Sequence, residues 1–311
     1  MKKTPSIAFV SIAFISSFSA MGAGNLQDGL DADLIYNRDT GNVILDPTDT
    51  DAGRLISFTL SRIFDAGDLR PDNFMPPFAD TGFNTDASVN QIGQLDGTLV
   101  GLDSPHDVGD IFPAGFESAE QLSQYLSLAI YASALGQGGE LDLIAYSSGD
   151  VTLDGELDEQ DIDLLSVSVR SGSENPLLDV NRDGAIDNVD RRHWVHELKG
   201  TYFGDANLDG EFSTTDLISV FQVGIYEDDV PLNATWATGD WNGDGDFSTS
   251  DMVVAFQDGG FELGPRRVIQ TVPEPGTLSL LSIGILLAPI LRNSRRELAK
   301  EQSHRFTLPT A

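Results

Sequence analysis

The chain has 311 residues, with 18 Lys or Arg against 49 Asp or Glu, a formal net charge of −31. This balance argues against nucleic acid as a partner, because binding nucleic acid starts with basic groups that neutralise phosphates. The absence of Cys excludes disulfide frameworks, thiol catalysis and Cys-ligated zinc sites, so the partners that such an acidic chain attracts are cations.

Residues 1–23 have the layout of a secretory signal peptide. Lys2 and Lys3 precede an apolar run from Ile7 to Phe18, and small residues then follow as far as Ala23. An N-terminal core helix is the alternative. We favour export, because the basic start, the apolar centre and the small-residue end occur in the order of a signal peptide.

Residues 24–147 contain short apolar segments that alternate with turn residues. Residues 43–45 follow a Gly-containing turn, and residues 56–61 alternate apolar with hydroxyl side chains, which is typical of a half-buried strand. Residues 99–102 and 141–146 are further strand candidates. The segment is therefore predicted to be an all-β domain.

One helix is predicted inside this domain. Ser118 is followed three residues later by Gln121, a capping-box pattern, and then by apolar residues at Leu122, Tyr125 and Leu126. Short strands with a single brief helix are typical of a β-sandwich. We therefore expect a β-sandwich in residues 24–147.

An internal repeat begins after this domain. When the sequence is shifted by 35 residues, 204–227 overlies 239–262 with 13 of 24 positions identical. Two diverged copies lie upstream and begin at Asp150 and Asp179. Each copy is a short acidic segment followed by an apolar helical pattern, so the repeat predicts four related loop–helix units.

The four acidic segments share one twelve-residue pattern. They are loop 1 (150–161, DVTLDGELDEQD), loop 2 (179–190, DVNRDGAIDNVD), loop 3 (205–216, DANLDGEFSTTD) and loop 4 (240–251, DWNGDGDFSTSD). Each has Asp at positions 1, 5 and 12, Asn or Thr at 3, Gly at 6 and an apolar residue at 8. Oxygen ligands at alternate positions around a Gly-permitted bend are what calcium requires. The alternative is a set of Asx-rich turns, which four copies in register disfavour.

The pattern predicts up to four Ca²⁺ ions, and magnesium is disfavoured because it retains more water. Position 7 would contribute its backbone carbonyl, position 9 would act through water, and the apolar residue at position 8 would face inward. The predicted ligands, at positions 1, 3, 5, 7 and 12 of each loop, are Asp150, Thr152, Asp154, Glu156, Asp161, Asp179, Asn181, Asp183, Ala185, Asp190, Asp205, Asn207, Asp209, Glu211, Asp216, Asp240, Asn242, Asp244, Asp246 and Asp251.

The loops end in Asp rather than Glu, and no amphipathic helix precedes each of them, so the region resembles the type I dockerin repeat. That resemblance implies paired EF-hand-like halves forming two modules, 149–200 and 204–264. In that family a Ser/Thr pair at positions 10 and 11 is often read by a cohesin partner. The pairs at 214–215 and 249–250 match this pattern, whereas 159–160 and 188–189 do not. The resemblance therefore implies a cohesin-like partner for the second module, and the alternative is that these are ordinary residues of a helix N-terminus.

The C-terminal region carries a second sorting pattern. A linker, 265–276, contains Val-Pro-Glu-Pro at 272–275, an uncharged apolar run follows at 277–291, and an arginine-rich tail occupies 292–311. This arrangement resembles the PEP-CTERM sorting signal. The resemblance implies export, a single transmembrane sorting helix at 277–291 that holds the chain in the membrane at least transiently, a cytoplasmic basic tail, and processing by an exosortase.

The sequence offers no motif of an enzyme. His193, His196 and Glu197 do not have the spacing of a zinc-protease helix, and neither a Gly-x-Ser-x-Gly elbow nor a phosphate-binding Gly-rich loop occurs. We therefore expect a non-enzymatic, exported calcium-binding protein of the cell envelope or extracellular matrix. The alternative is a carbohydrate-binding or carbohydrate-active protein attached through dockerin repeats, with an extracellular polysaccharide as its partner.

Overall fold

The structure is a computed structural model that describes residues 32–48, 54–63, 67–79, 84–133 and 138–266. The predicted signal peptide lies outside the described residues, as do the Val-Pro-Glu-Pro motif, the apolar run 277–291 and the basic tail. Within the described ranges, no helix combines the length and the hydropathy needed to cross a membrane.

The N-terminal region is built from strands, as the sequence predicts. Three antiparallel pairs of consecutive strands, together with longer crossovers, form two separate sheets. The strands in the described residues are β1 (Asp33–Asn37), β2 (Val43–Asp46), β3 (Leu55–Arg62), β4 (Thr85–Ala87), β5 (Gln91–Leu95), β6 (His106–Gly109), β7 (Leu126–Ser133), β8 (Gly138–Glu140) and β9 (Asp142–Tyr146).

The smaller sheet has the order β6-β2-β1-β9, with β1 and β9 parallel, and the larger sheet has the order β4-β5-β3-β7-β8. Tyr36 and Leu45 of the smaller sheet belong to the same buried cluster as Phe58, Ile92 and Tyr131 of the larger one. The prediction of a mostly β domain is therefore confirmed, with one core that both sheets share.

The predicted helix is also present, as α1 (Ala119–Tyr125). The hydroxyl of Ser118 accepts the Gln121 N–H at 3.3 Å, and the Gln121 side chain accepts the N–H of Glu117 at 2.9 Å rather than that of Ser118. The helix buries Leu122 and Tyr125 in the shared core, so its start and its apolar face follow the sequence pattern.

The strand predicted at 99–102 is wrong, because this segment is a turn. The carboxylate of Asp96 accepts the N–H groups of Thr98 and Gly101 at 2.8 and 2.7 Å and closes the chain on itself. Leu99 consequently has a φ of 56° and is 61% exposed. Only Leu102 makes a β-bridge there, to Leu55 of β3.

The repeat region consists of helices that follow the acidic loops. Each helix starts after position 9 of its loop, and among the described residues no α-helix runs directly into a loop. The helices are α2 (Glu159–Ser171), α3 (Asn188–His193), which continues as a π-helical turn over Trp194–Leu198, α4 (Thr214–Val223) and α5 (Thr249–Asp258).

The two predicted modules are packed around one hydrophobic core. Trp194 of the first and both Trp236 and Trp241 of the second are fully buried in this cluster. The indole N–H of Trp194 donates to the carbonyl of Gly149 at 2.9 Å, and that of Trp236 donates to the carbonyl of Asp205 at 2.6 Å. Residues 149–200, the first repeat pair, and 204–264, the second repeat pair, therefore stabilise each other.

A small apolar cluster joins the first repeat pair to the β domain. Leu177, in the turn before loop 2, packs with Ile35, Ile44 and Tyr146 of the smaller sheet. Beside it, the guanidinium of Arg182 in loop 2 forms an ion pair with Asp110 at 2.6 Å. Loop 2 and the turn before it therefore contact the β domain directly.

Candidate metal centre

All four loops have the same main-chain scaffold. The N–H of the position-6 Gly donates to the position-1 Asp at 3.0, 2.9, 2.8 and 2.9 Å in loops 1 to 4. The N–H of position 9 donates to the position-12 Asp at 2.9, 2.8, 2.9 and 2.9 Å. The first and last aspartates of each loop are therefore held by the loop's own backbone, as a preorganised site requires.

Two left-handed residues produce the curl of each loop. Position 6 is always Gly with φ between 89° and 93°, a conformation that Gly adopts without strain. Position 4 is also left-handed in every copy, although only loop 4 has Gly there. The position-4 residues are Leu153, Arg182, Leu208 and Gly243, with φ of 60°, 61°, 55° and 84°.

The aspartates at positions 1 and 12 lie inside the protein. Seven of the eight are less than 5% exposed, and the exception is Asp179, which is half-buried. Burial raises the pKa of Asp150, Asp161, Asp190, Asp205 and Asp251, and it raises the pKa of Asp240 to about 6. Burying ionised carboxylates together is unfavourable unless a cation accompanies them. Uncompensated negative charge at positions 1 and 12 is therefore unfavourable in these loops.

Positions 3 and 5 lie beside each other in each loop. In loops 2, 3 and 4 the Asn amide donates to the position-5 Asp at 3.1, 3.0 and 2.8 Å. In loop 1 the hydroxyl of Thr152 instead donates to Asp161 at 3.0 Å. The position-5 Asp of every loop also accepts the N–H of position 7, at 2.9 to 3.0 Å.

Loop 4 brings its carboxylates closest together. Asp240, Asp244 and Asp251 each offer one oxygen, and these oxygens lie within 4.8 Å of one another. Across the described ranges, no other trio of acidic or His side chains meets this spacing. Three carboxylate oxygens at this distance suit a hard divalent cation such as calcium.

The residues at positions 8 and 9 have structural roles. Phe212 and Phe247 at position 8 are buried, which confirms the predicted inward orientation in the second repeat pair, whereas Leu157 and Ile186 are partly buried. Position 9 is the N-cap of each helix, and its side chain accepts the N–H of position 11 at 2.6 to 3.2 Å. The geometry therefore gives position 9 a helix-capping role.

Sequence reasoning missed two glutamates that contact the helix starts. Glu262 accepts both the N–H and the hydroxyl of Thr214, at 2.9 and 2.6 Å, and Glu227 accepts the same two groups of Thr249. These hydrogen bonds lower the pKa of both glutamates. The signal was available, because Glu227 and Glu262 are one of the identities in the 35-residue repeat.

The same threonines open the two Ser/Thr pairs assigned to partner recognition. Their hydroxyl groups bond to glutamates of the same chain, so position 10 of loops 3 and 4 is used internally. Among the hydrogen bonds of the described residues, no glutamate side chain accepts from Glu159 or Asn188, the position-10 residues of the first repeat pair.

The histidines that do not fit a zinc-protease motif have a structural environment. His196 Nε2 lies 2.8 Å from Asp258 at the end of α5, and its ring packs edge-on against Phe203. Asp258 also accepts the N–H of Phe203 at 3.0 Å. His196 thus connects the two repeat pairs.

The chain matches no protein-family model, and comparisons with the curated proteins and with the solved structures also give no match.

Proposed function

We propose that the protein is an exported, non-enzymatic calcium-binding protein of the cell envelope or extracellular matrix. The observation that carries this proposal is the fourfold recurrence of one loop scaffold, in which seven of the eight aspartates at positions 1 and 12 are buried and, in loop 4, they converge with the aspartate at position 5. A single loop of this kind would be an ordinary turn, whereas four copies that bury carboxylates call for a cation.

Calcium, when bound, would supply the charge that offsets these carboxylates. The side chains at positions 1, 3, 5 and 12 and the carbonyl of position 7 would hold it. Because position 12 lies in the first turn of the following helix, an ion at the loop also fixes the start of that helix. Binding free energy thereby becomes folding free energy.

The repeats would use this rigidity in a stalk or to dock another protein. Support comes from the dockerin-like pattern, with a helix after each loop and, among the described residues, no α-helix running directly into one. The exposed second members of the two Ser/Thr pairs, Thr215 and Ser250, fit the same pattern, whereas the first members bond to glutamates of the same chain. A cohesin-like protein is the partner that this pattern implies. The signal-peptide and PEP-CTERM patterns support export and exosortase processing.

The alternative function, binding or cleavage of a carbohydrate, has less support. The outward positions of β3 are Ser57, Thr59 and Ser61, and the aromatic residues of this sheet, Phe58 and Tyr131, point into the core. In the part of the chain that the structure describes, this sheet face therefore offers no aromatic platform for a sugar ring.

A calcium titration tests the proposal. All three tryptophans, Trp194, Trp236 and Trp241, are buried in the repeat core, so their fluorescence reports its folding, and circular dichroism reports the helices. We expect a saturable change that a chelator reverses and that magnesium does not reproduce, with a Kd on the order of 10⁻⁴–10⁻³ M for an extracellular module. The absence of any calcium-dependent change would overturn the proposal.

A further inference from the structure

Loop 4 is contacted by two arginines from the first repeat pair. Arg170, near the end of α2, donates to the carbonyl of Gly243 at 2.8 Å and lies 3.6 Å from the carboxylate of Asp240. Arg191, in α3, donates to the carbonyls of Asn242 and Trp241 at 2.6 and 3.0 Å. Positions 2, 3 and 4 of the loop are therefore held by guanidinium groups.

This support distinguishes loop 4 from the other loops. Among the ion pairs of the described residues, only that of Arg170 with Asp240 involves an aspartate at position 1 or 12 of a loop. Arg191 is 2% exposed, and its Nε also donates to the hydroxyl of Ser166 at 2.9 Å. A buried guanidinium whose three nitrogens all donate hydrogen bonds is a positive charge in a fixed position.

Loop 4 is also the loop whose three carboxylates lie within 4.8 Å of one another. Asp240 and Asp251 are buried, whereas Asp244 is exposed, and buried like charges repel strongly at such distances. A nearby positive charge offsets this repulsion, and the two guanidinium groups supply it. The position of the arginines and the convergence of the carboxylates are separate observations that agree.

We infer that the guanidinium groups of Arg170 and Arg191 partly take the place of a cation at loop 4. They keep the loop curled without calcium, and they weaken its affinity for calcium. The inference rests on the proposed function, because it concerns calcium at one of the four loops. Calcium must enter a loop whose negative charge is already partly offset, so each arginine lowers the electrostatic gain from binding. Since α2 and α3 follow loops 1 and 2, the first repeat pair thereby controls the fourth site.

The position-6 glycines provide a separate reporter for each loop. Each Gly N–H donates to the position-1 carboxylate of its own loop, so its amide resonance responds when an ion polarises that carboxylate. Every one of these glycines follows an Asp. Labelling the full chain with ¹⁵N-Gly and ¹³C-carbonyl Asp therefore restricts the NMR spectrum to Asp–Gly pairs, and a calcium titration gives a midpoint for each loop.

The decisive variant is Arg170→Gln, which removes the charge but retains an amide that can donate to Gly243. We expect the Gly245 midpoint to fall about tenfold in calcium concentration, while the Gly210 midpoint of loop 3 stays unchanged. Arg170→Lys keeps the charge and should leave both midpoints close to those of the wild-type protein. Arg54→Gln, in the β domain, removes an equal charge at a distant ion pair and should change neither.

An unchanged or higher Gly245 midpoint in Arg170→Gln would overturn the inference, because the arginine would then support the loop without opposing calcium. A tenfold fall in both Arg170→Gln and Arg54→Gln would also overturn it, since overall charge would explain the effect. Failure of all four glycines to respond in the wild-type protein is a different result, which contradicts calcium binding itself.

Discussion

The two repeat pairs contain the same loops but are stabilised by different neighbours. In the second pair, the halves stabilise each other: Glu262 contacts the start of α4 and Glu227 contacts the start of α5. The main-chain N–H of Glu262 donates to the carbonyl of Phe212, and that of Glu227 donates to the carbonyl of Phe247, both at 2.8 Å. This reciprocal arrangement follows the internal repeat.

The first pair instead contacts the rest of the molecule. Leu177 and Arg182 contact the β domain, and Arg170 and Arg191 contact loop 4. Lys199 donates to the carbonyl of position 8 in loop 1 at 2.6 Å. The comparison teaches that the loop pattern specifies the shape of each loop, whereas the residues outside the loops determine whether a pair packs on itself or contacts other parts of the molecule.

The largest expected effect comes from removing two predicted calcium ligands from the second pair. Asp209→Ala combined with Asp244→Ala removes the position-5 ligand from loops 3 and 4, and the second pair should lose its calcium-dependent folding. A site saturated at 100 times its Kd contributes about 2.7 kcal/mol, so two sites contribute about 5 kcal/mol. Thermal unfolding of both proteins in calcium and in chelator measures the difference.

A matched control removes the same charge outside the loops, in Asp229→Ala combined with Glu174→Ala, both at exposed positions. This control should keep the full calcium-dependent increase in Tm. If the loop variant melts at the wild-type temperature in calcium, the ligand assignment is wrong. If the control loses the increase as well, overall acidity rather than the loops is responsible.

The next largest effect is a pH dependence that changes sign with calcium. Without calcium, burial raises the folded-state pKa of Asp240 to about 6, above its unfolded value near 4. The folded protein then binds more protons between these values, so its stability should fall as pH rises from 4 to 6, by on the order of 2 kcal/mol. The other buried loop aspartates with raised pKa act in the same direction.

With calcium the dependence should reverse, because the ion binds the ionised carboxylates and protons compete with it. Denaturant unfolding at pH 4.5 and pH 7, with calcium or with chelator, gives the four free energies of unfolding that are needed. The same sign of pH dependence in both conditions would contradict the assignment of the buried aspartates as ligands.

The sequence predicted the shape of the loops more completely than it predicted their surroundings. The position of each helix start, the Gly at position 6 and the buried Phe212 and Phe247 follow from a local pattern with a fixed period. The same is true of β2, β3 and α1 in the β domain, where apolar spacing and an N-cap are local signals.

Contacts between distant segments were not predictable in this way. In the sequence, Arg170 and Arg191 resemble ordinary helix residues. Their partners lie in loop 4, because Arg170 bonds to Gly243, 73 residues further along the chain, and Arg191 bonds to Trp241, 50 residues further along. The segment 99–102 has strand-forming residues, but the Asp96 side chain closes a turn there. The arginine contacts depend on the tertiary structure, whereas the turn at 99–102 depends on a nearby side chain, Asp96, whose effect the pattern of apolar residues does not reveal.

A smaller effect is expected from the reciprocal glutamates. Glu262→Ala removes two hydrogen bonds at the start of α4, and Glu227→Ala removes the equivalent pair at α5. Because the two positions are related by the repeat, each variant should lower the Tm of the calcium-loaded protein by a similar few degrees. Glu197→Ala, at an exposed glutamate of the first pair, is the control and should leave Tm unchanged. If one variant lowers the Tm clearly more than the other, the two glutamates occupy equivalent positions but do not contribute equally to stability.

The smallest effect concerns the contact between loop 2 and the β domain. Arg182 and Asp110 are both partly exposed, at 39% and 31%, so a double-mutant cycle with Arg182→Gln and Asp110→Asn should give a coupling below about 1 kcal/mol. The coupling should disappear in chelator, because Arg182 reaches Asp110 from the left-handed position 4 that the curled loop maintains. The control is the exposed ion pair of Arg54 with Asp103, 3.0 Å apart in the β domain, whose coupling should be independent of calcium. Equal coupling at Arg182 with and without calcium would mean that the β domain, rather than the ion, holds loop 2 in place.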